Sequence, residues 1–261
     1  MAQPCVTALL AKGVPEATSL FAPSAVVLRD DFAGTKLDLS KWSAGYSHQN
    51  QDTLVKQDDG FHIIINTGGR YSGGACLTAN LVHGRFDART RFSVTNPQQG
   101  TTFELAAICI DAGYNHMDNT DLNSRNVNLT FDVHGAPPYA SSERDEDDGF
   151  RIGWNNGFNL TQISSDWAAA SVNMYNKYGR DVGNGEQDNP DGWLRLTRNG
   201  DVFTSFYKDR YNQAWVCSAS ALVQNMSKDV CLRLAAKHWN KGGNPAPGNH
   251  ITFHEFELLQ F

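Results

Sequence analysis

Apolar and polar residues alternate with a period of two along most of this chain, and that pattern constrains the fold more than any other feature. In "RNVNLTFDVH", Val127, Leu129, Phe131 and Val133 fall on one side, and Asn126, Asn128, Thr130, Asp132 and His134 on the other. Such a period belongs to a half-buried strand, with one face on a core and the other on solvent or a cleft. Similar runs read "GFHIIIN", "GRFDARTRFSV", "TFELAAICID", "GFRIGW", "ASVNMYNKY", "GWLRLTRNGDVFTSFYKD", "VCLRLAAKHW" and "HITFHEFELL". Strands in series, separated by turn residues, predict an all-β antiparallel sandwich and not strands alternating with helices. Asn199-Gly200, set between two alternating runs, predicts a tight hairpin. Helix is confined to a turn or two near Val6 to Lys12. The polar stretches "NHMDNTDLNSRN", "PPYASSERDEDDG" and "GRDVGNGEQDNPDG" read as long loops inserted on one scaffold.

A chain of 261 residues, 40% hydrophobic, suffices for one large core. We expect a single sandwich over residues 29–261, with an extension over residues 1–28 packed on it. The 22 basic and 28 acidic residues give a net charge of -6 and leave no basic stripe, which argues against nucleic acid and anionic membrane as partners. No apolar run reaches the length of a membrane span. Sequons at Asn128, Asn159 and Asn225 point to a secreted glycoprotein. The first of them conflicts with a cleft role for the Asn126–His134 face, because a glycan needs open surface. None of the five cysteines has CxxC spacing, so they form no metal motif. Cys217 and Cys231 end one expected strand and open the next, which fits either a disulfide or two buried thiols.

Framework motifs carry a resemblance. "RDDFAGTKLDLSKWSAG" (Arg29 to Gly45), "HGRFDARTRFSV" (His83 to Val94) and "ITFHEFELLQF" are similar to the opening, central and closing strands of laminarinase-type family 16 glycoside hydrolases. "GWLRLTRNGDVFTSFYKD" also resembles jelly-roll modules related to laminin G domains. The resemblance spans roughly residues 29–261 and implies a concanavalin A-like jelly roll whose concave sheet holds a ligand groove. It is silent on chemistry. Family 16 enzymes cut glycans with a Glu-x-Asp-x-x-Glu strand, in which one carboxylate attacks while another protonates the leaving oxygen. Asn126, Asn128 and Phe131 stand where those acids are expected, and an amide does neither task, so the resemblance does not carry the retaining mechanism over.

Parity on neighbouring strands assembles a candidate site. Arg85, Asp87, Arg89 and Arg91 share one face of their strand, either as a cleft wall or as a solvated face in which Asp87 pairs with Arg85 and Arg89. Tyr175 and Lys177 share parity with Asn173, and His134 ends the central strand. A His or Tyr base beside cationic groups is the inventory of jelly-roll polysaccharide lyases. "FDVH" and "YNKYG" resemble the Gln-x-His and Tyr-x-Lys strands of alginate lyases, although Asp132 replaces the Gln. We therefore take His134, Tyr175 and Arg89 as candidate catalytic residues. Asn126, Asn128, Asp132, Lys177, Arg85, Trp154, Lys237 and Trp239 are candidate ligand contacts, the tryptophans through stacking on planar ligands. Trp42 and Trp193 are expected in the core. The acidic stretches Asp118–Asn123 and Glu143–Asp148 lack the spacing of a calcium hand and read as solvated loops.

These expectations converge on a secreted, carbohydrate-active jelly roll that binds a glycan without paired carboxylates or cleaves it as a lyase. A second reading is a small-molecule cyclase of the fungal hetero-Diels-Alderase type in the same cleft, and a third is a non-catalytic interaction domain. No cofactor is indicated.

Overall fold

The computed structural model describes residues 26–47, 53–65, 71–77, 82–95, 101–109, 139–144, 150–155, 171–173, 191–209, 213–224, 226–238 and 249–261. These form two antiparallel sheets. The first contains β1 (Val26–Asp30), β3 (Thr53–Gln57), β4 (Phe61–Ile65), β7 (Phe86–Thr95), β12 (Asp191–Asn199), β13 (Val202–Asp209), β14 (Val216–Leu222) and β16 (Asn249–Gln260). Its order is β14-β13-β12-β7-β16-β4-β3, and β1 also pairs with β16. The second contains β2 (Trp42–Ser47), β5 (Tyr71–Leu77), β6 (Val82–His83), β8 (Thr101–Cys109), β9 (Tyr139–Arg144), β10 (Phe150–Asn155), β11 (Ser171–Asn173) and β15 (Asp229–His238). Its order is β11-β10-β9-β8-β15-β5-β2, with β6 on β15. Among the described residues no helix is long and apolar enough to cross a membrane.

The alternation sets the layers. Phe86, Ala88, Phe92 and Val94 of β7 point inward and meet Phe103, Leu105 and Ala107 of β8. Phe103 lies 4.7 Å from Phe92 and 6.5 Å from Phe253 between ring centres, which locks the two sheets together. At one end Phe32, Trp42, Phe61 and Phe256 form an aromatic cluster, with Trp42 5.4 Å from Phe32 and 5.2 Å from Phe256. Phe32 has φ 52°, a left-handed conformation that costs about 1–2 kcal/mol. Its complete burial offsets that cost, and Asp30 fixes it: Oδ1 accepts the Phe32 N–H at 2.9 Å while Oδ2 accepts the Trp42 Nε1–H at 2.9 Å. A polar bridge also crosses the core. The Ser205 hydroxyl donates to Ser142 Oγ at 2.9 Å, and Ser142 donates to the Phe206 carbonyl at 3.0 Å.

Several expectations change. "YASSER", read as part of a loop, is strand β9, paired along its length with β8. β12 and β13 form the expected hairpin, but Asn199 pairs with Val202, so the two-residue loop is Gly200-Asp201. Only Gly200 has positive φ there, at 64°, which is the signature of a type II′ turn in place of the I′ turn that Asn-Gly favours. Cys217 and Cys231 are not bridged to each other, one lying in the first sheet and the other in the second, because the chain crosses between sheets after β14. Trp42 is fully buried, whereas Trp193 stands half-buried on the outer face of β12 with its ring 6.3 Å from Trp215. Of the extension over residues 1–28, only Val26–Leu28 fall within the described residues, as part of β1.

One backbone contact yields a prediction. A Cβ added at Gly192 would lie 2.2 Å from the Lys208 carbonyl oxygen on the paired strand. Gly192→Ala is therefore expected to push β13 away and lower stability by about 1–3 kcal/mol, as overpacking does. A thermal melt indistinguishable from wild type would contradict that close approach.

Candidate functional site

The outer face of the first sheet is a network of charges and rings. Asp87 is clamped by two arginines: Arg89 donates from Nε at 3.1 Å and Nη2 at 2.7 Å, and Arg195 from Nε at 2.9 Å and Nη2 at 2.7 Å. The strand register makes this possible, since Arg89 and Arg195 are cross-strand partners and Thr197 opposes Asp87. Trp215 covers the clamp, with Arg195 at 5.4 Å and Lys208 at 4.6 Å from its ring centre. The hydrogen bonds to Asp87, outweighing burial, raise Arg89 above its ordinary value and commit it to the cationic form. It cannot act as a base here. Farther along the same face, toward the other end of β7, burial ahead of His62 and Lys56 lowers His250, and burial ahead of Arg91 and His62 lowers His254, so both rings favour the neutral form. Asp87→Ala would leave two guanidinium groups without their shared acceptor; because Arg89 is partly solvated, the expected loss is about 2 kcal/mol, read by urea denaturation.

The outer face of the second sheet is different. Leu105, Leu232, Leu234 and Ala236 feed the core, which turns Glu104 and Ala106 of β8 and Cys231, Arg233 and Ala235 of β15 to the other side. Glu104 Oε1 accepts a hydrogen bond from Arg233 Nη2, and the pair is sequestered, with side-chain exposures of 0% and 9%. Cross-strand register continues the row. Gly45, Gly74, Ala235, Glu104, Glu143, Arg151 and Asn173 stand opposite one another on successive strands from β2 to β11. In the neighbouring row Cys76, Arg233, Ala106, Ser141 and Gly153 do the same. The middle of this face is thus floored by glycine, alanine and serine, and only Glu104 and Arg233 carry long side chains there among the residues whose burial is described. Ala106, Ser141 and Ala235 are no more than 1% exposed, so the floor is shut off from water.

The candidates inferred from sequence separate accordingly. Arg89 lies on the strand face of the first sheet that points away from the core, on the opposite side of the sandwich from Glu104, and Arg85 is exposed in the bend just before β7. Lys237 is paired in register with Ser72 and Thr102. Trp154 is the cross-strand partner of the core residue Ala140. Asn126, Asn128, Asp132, His134, Tyr175, Lys177 and Trp239 lie outside the described residues, as do the three sequon asparagines and the Asp118–Asn123 stretch. Sequence reasoning missed Glu104 and Arg233. The available signal was the charge inside "TFELAAI" and its counterpart inside "CLRLAA", each flanked by apolar residues on a buried strand.

No protein-family model matches the chain, and no curated protein matches it. Solved structures do. An endo-β-1,3-glucanase from Pyrococcus furiosus superposes with a TM-score of 0.58 at 9% identity, covering 95% of this chain and 99% of that one. The fold they share is an antiparallel β-sandwich of the jelly-roll kind. A pseudo β-1,3-glucanase of Mycobacterium tuberculosis, described as an immunostimulatory antigen, matches the jelly roll with a TM-score of 0.52 at 12% identity over 90% of this chain and 99% of that one. The exoplasmic/lumenal domain of VIP36, in a form bound to calcium and Man3GlcNAc, matches it with a TM-score of 0.50 at 13% identity over 84% and 86%. At such identities the likeness is one of fold.

Proposed function

We propose that this jelly roll binds a carbohydrate on the outer face of its second sheet, with the Glu104–Arg233 pair as the polar centre of the site. The observation that carries the reading is that ion pair, set among small residues on the sheet face turned away from the core. A buried pair is weak as a source of stability. Its position on the face turned away from the core therefore supports a role in recognition, where a carboxylate and a guanidinium offer acceptors and donors to sugar hydroxyls. The glycan-bound VIP36 domain and the glucanase share this fold, which supports a sugar as the ligand class.

Binding is favoured over retaining hydrolysis. That mechanism needs two carboxyl groups about 5–5.5 Å apart, one ionised to attack and one protonated to donate. Glu143 does oppose Glu104 in register, but Glu104 is committed to Arg233. In the lyase form of the proposal, His134 or Tyr175 supplies the base, and Asn126, Asn128, Asp132, Lys177, Lys237 and Trp239 contact the chain of sugars. The sequons support passage through the secretory pathway.

A second reading, the small-molecule cyclase, is favoured by the dryness of the same floor. A site closed to water strengthens each polar contact and holds two reacting partners together. One experiment separates these readings. The protein is screened on a glycan array, then incubated with neutral glucans and with uronate polysaccharides. Retention of one glycan class without cleavage is the expected result. Unsaturated ends from a uronate polymer would establish the lyase form, and new reducing ends from a glucan would refute the non-hydrolytic reading. Failure to retain any glycan would shift the proposal to a small ligand.

A further inference from the structure

Two imidazoles face each other across β4 and β16 on the outer face of the first sheet, on the other side of the sandwich from the proposed glycan site. His62 Nδ1 lies 2.7 Å from His250 Nε2 and 3.1 Å from Thr252 Oγ1, and the latter two atoms are 3.3 Å apart. The register brings them together: Thr252 is the cross-strand partner of His62, and His250 precedes it by two residues on the same face. The remaining nitrogen of His62, Nε2, is 2.9 Å from the Asp58 carbonyl oxygen. A carbonyl only accepts, so Nε2 carries the proton and Nδ1 turns its lone pair toward His250 and Thr252. Proteins orient metal-ligating histidines in this way, with the outer N–H tied to a backbone carbonyl.

The spacing also suits an ion. Donors that each lie about 2.0–2.1 Å from a first-row divalent metal are about 2.9–3.4 Å from one another. The three atoms here need to move only by tenths of an ångström to meet it. His62 and His250 are partly exposed and Thr252 is buried, so water can reach the site from the imidazole side to complete the coordination. A cation, Lys56, stands opposite His62 in register and has its charge offset by Asp58 at 3.0 Å. Among the described residues no group of three or more His, Cys, Asp or Glu side chains converges to hold a metal, so the donor set is two nitrogens and a hydroxyl.

We propose that His62 Nδ1 and His250 Nε2, with Thr252 Oγ1 beside them, form a binding site for a divalent transition ion. Imidazole nitrogens suit copper(II) and zinc(II), and copper(II) binds such donors more tightly. In the metal-free protein the same two nitrogens share a hydrogen bond, with His250 Nε2–H donating to His62 Nδ1. Binding moves that proton to the other nitrogen of His250, and the ion takes its place.

The test is a copper(II) titration of the full chain and of its His62→Gln, His250→Gln, doubly substituted and His254→Gln forms, each checked for folding by circular dichroism. His254 lies on the same face but contacts Ser93 at 2.8 Å, so it serves as the control. Wild type and His254→Gln are expected to take up one equivalent with two nitrogen ligands in the electron paramagnetic resonance spectrum, and copper(II) should displace zinc(II) bound beforehand. Loss of either ligating ring should weaken binding by about 100-fold or more, the upper end of what losing a mere supporting partner costs. Wild-type affinity no tighter than that of the double variant, or bound copper with fewer than two nitrogen ligands, would overturn the site. Should one single variant fail to fold, the other variant and the wild-type spectrum decide it.

Discussion

Glu104→Ala is expected to lower the free energy of unfolding by about 3–5 kcal/mol, the largest effect of any charge removal in the described residues. The reason is the fate of Arg233. Its side chain is only 9% exposed and its guanidinium donates to Glu104, so the substitution leaves a cation inside the protein without its carboxylate. Replacing both partners, as Glu104→Leu with Arg233→Met, removes both charges while keeping similar volume, and most of the lost stability should return. Urea denaturation of wild type, the two single variants and the double variant closes a double-mutant cycle. A loss below about 1 kcal/mol for Glu104→Ala would mean that the pair behaves as a solvated surface bridge, contrary to its burial.

Trp42→Ala should produce an effect of the same size, about 3–5 kcal/mol, through a different mechanism. The indole is fully buried between Phe32 and Phe256, and its N–H is a donor to Asp30. Removal opens a cavity at the end of the sandwich and weakens the anchor that holds Phe32 in its left-handed conformation. Trp42→Phe keeps most of the packing but not the hydrogen bond, and should cost about 1–2 kcal/mol. Equal stabilities for the two variants, measured by calorimetry, would contradict this division between packing and hydrogen bonding. Since Trp42 on β2 and Glu104 on β8 are separated in the second sheet by β5 and β15, and Trp42 is packed in the core while Glu104 lies on the other face, the two losses should add in a combined variant.

Strands with bulky alternating residues are legible in the sequence itself, because a period of two in Phe, Ile, Leu and Val matches the pleat of a half-buried strand and not the turn of a helix. β4, β7, β8, β12, β13, β15 and β16 are of this kind. β9 is not legible: its core-facing residues are Ala140 and Ser142, which contribute too little apolar contrast to separate a strand from a polar loop. Trp193 shares parity with Arg195 and not with Leu194 and Leu196, so its outward position is readable, and the assumption that tryptophan belongs in the core displaces that reading. The ion pair cannot be read as a pair. Glu104 and Arg233 are separated by 129 positions and meet only because β8 and β15 are neighbours, which no local period reports. The same holds for the clamp on Asp87, where the expected second arginine is Arg85 and the structure supplies Arg195 from β12.

The proposed recognition of a glycan requires the outer face of the second sheet to be where the ligand is held. Glycan-array binding by the Glu104→Leu, Arg233→Met protein, verified as folded, is the most direct test. Loss of the glycans retained by wild type, with the melting temperature nearly kept, is the expected result. Undiminished retention of the same glycans by a protein lacking both charges would place the site elsewhere and contradict the proposed role of the pair.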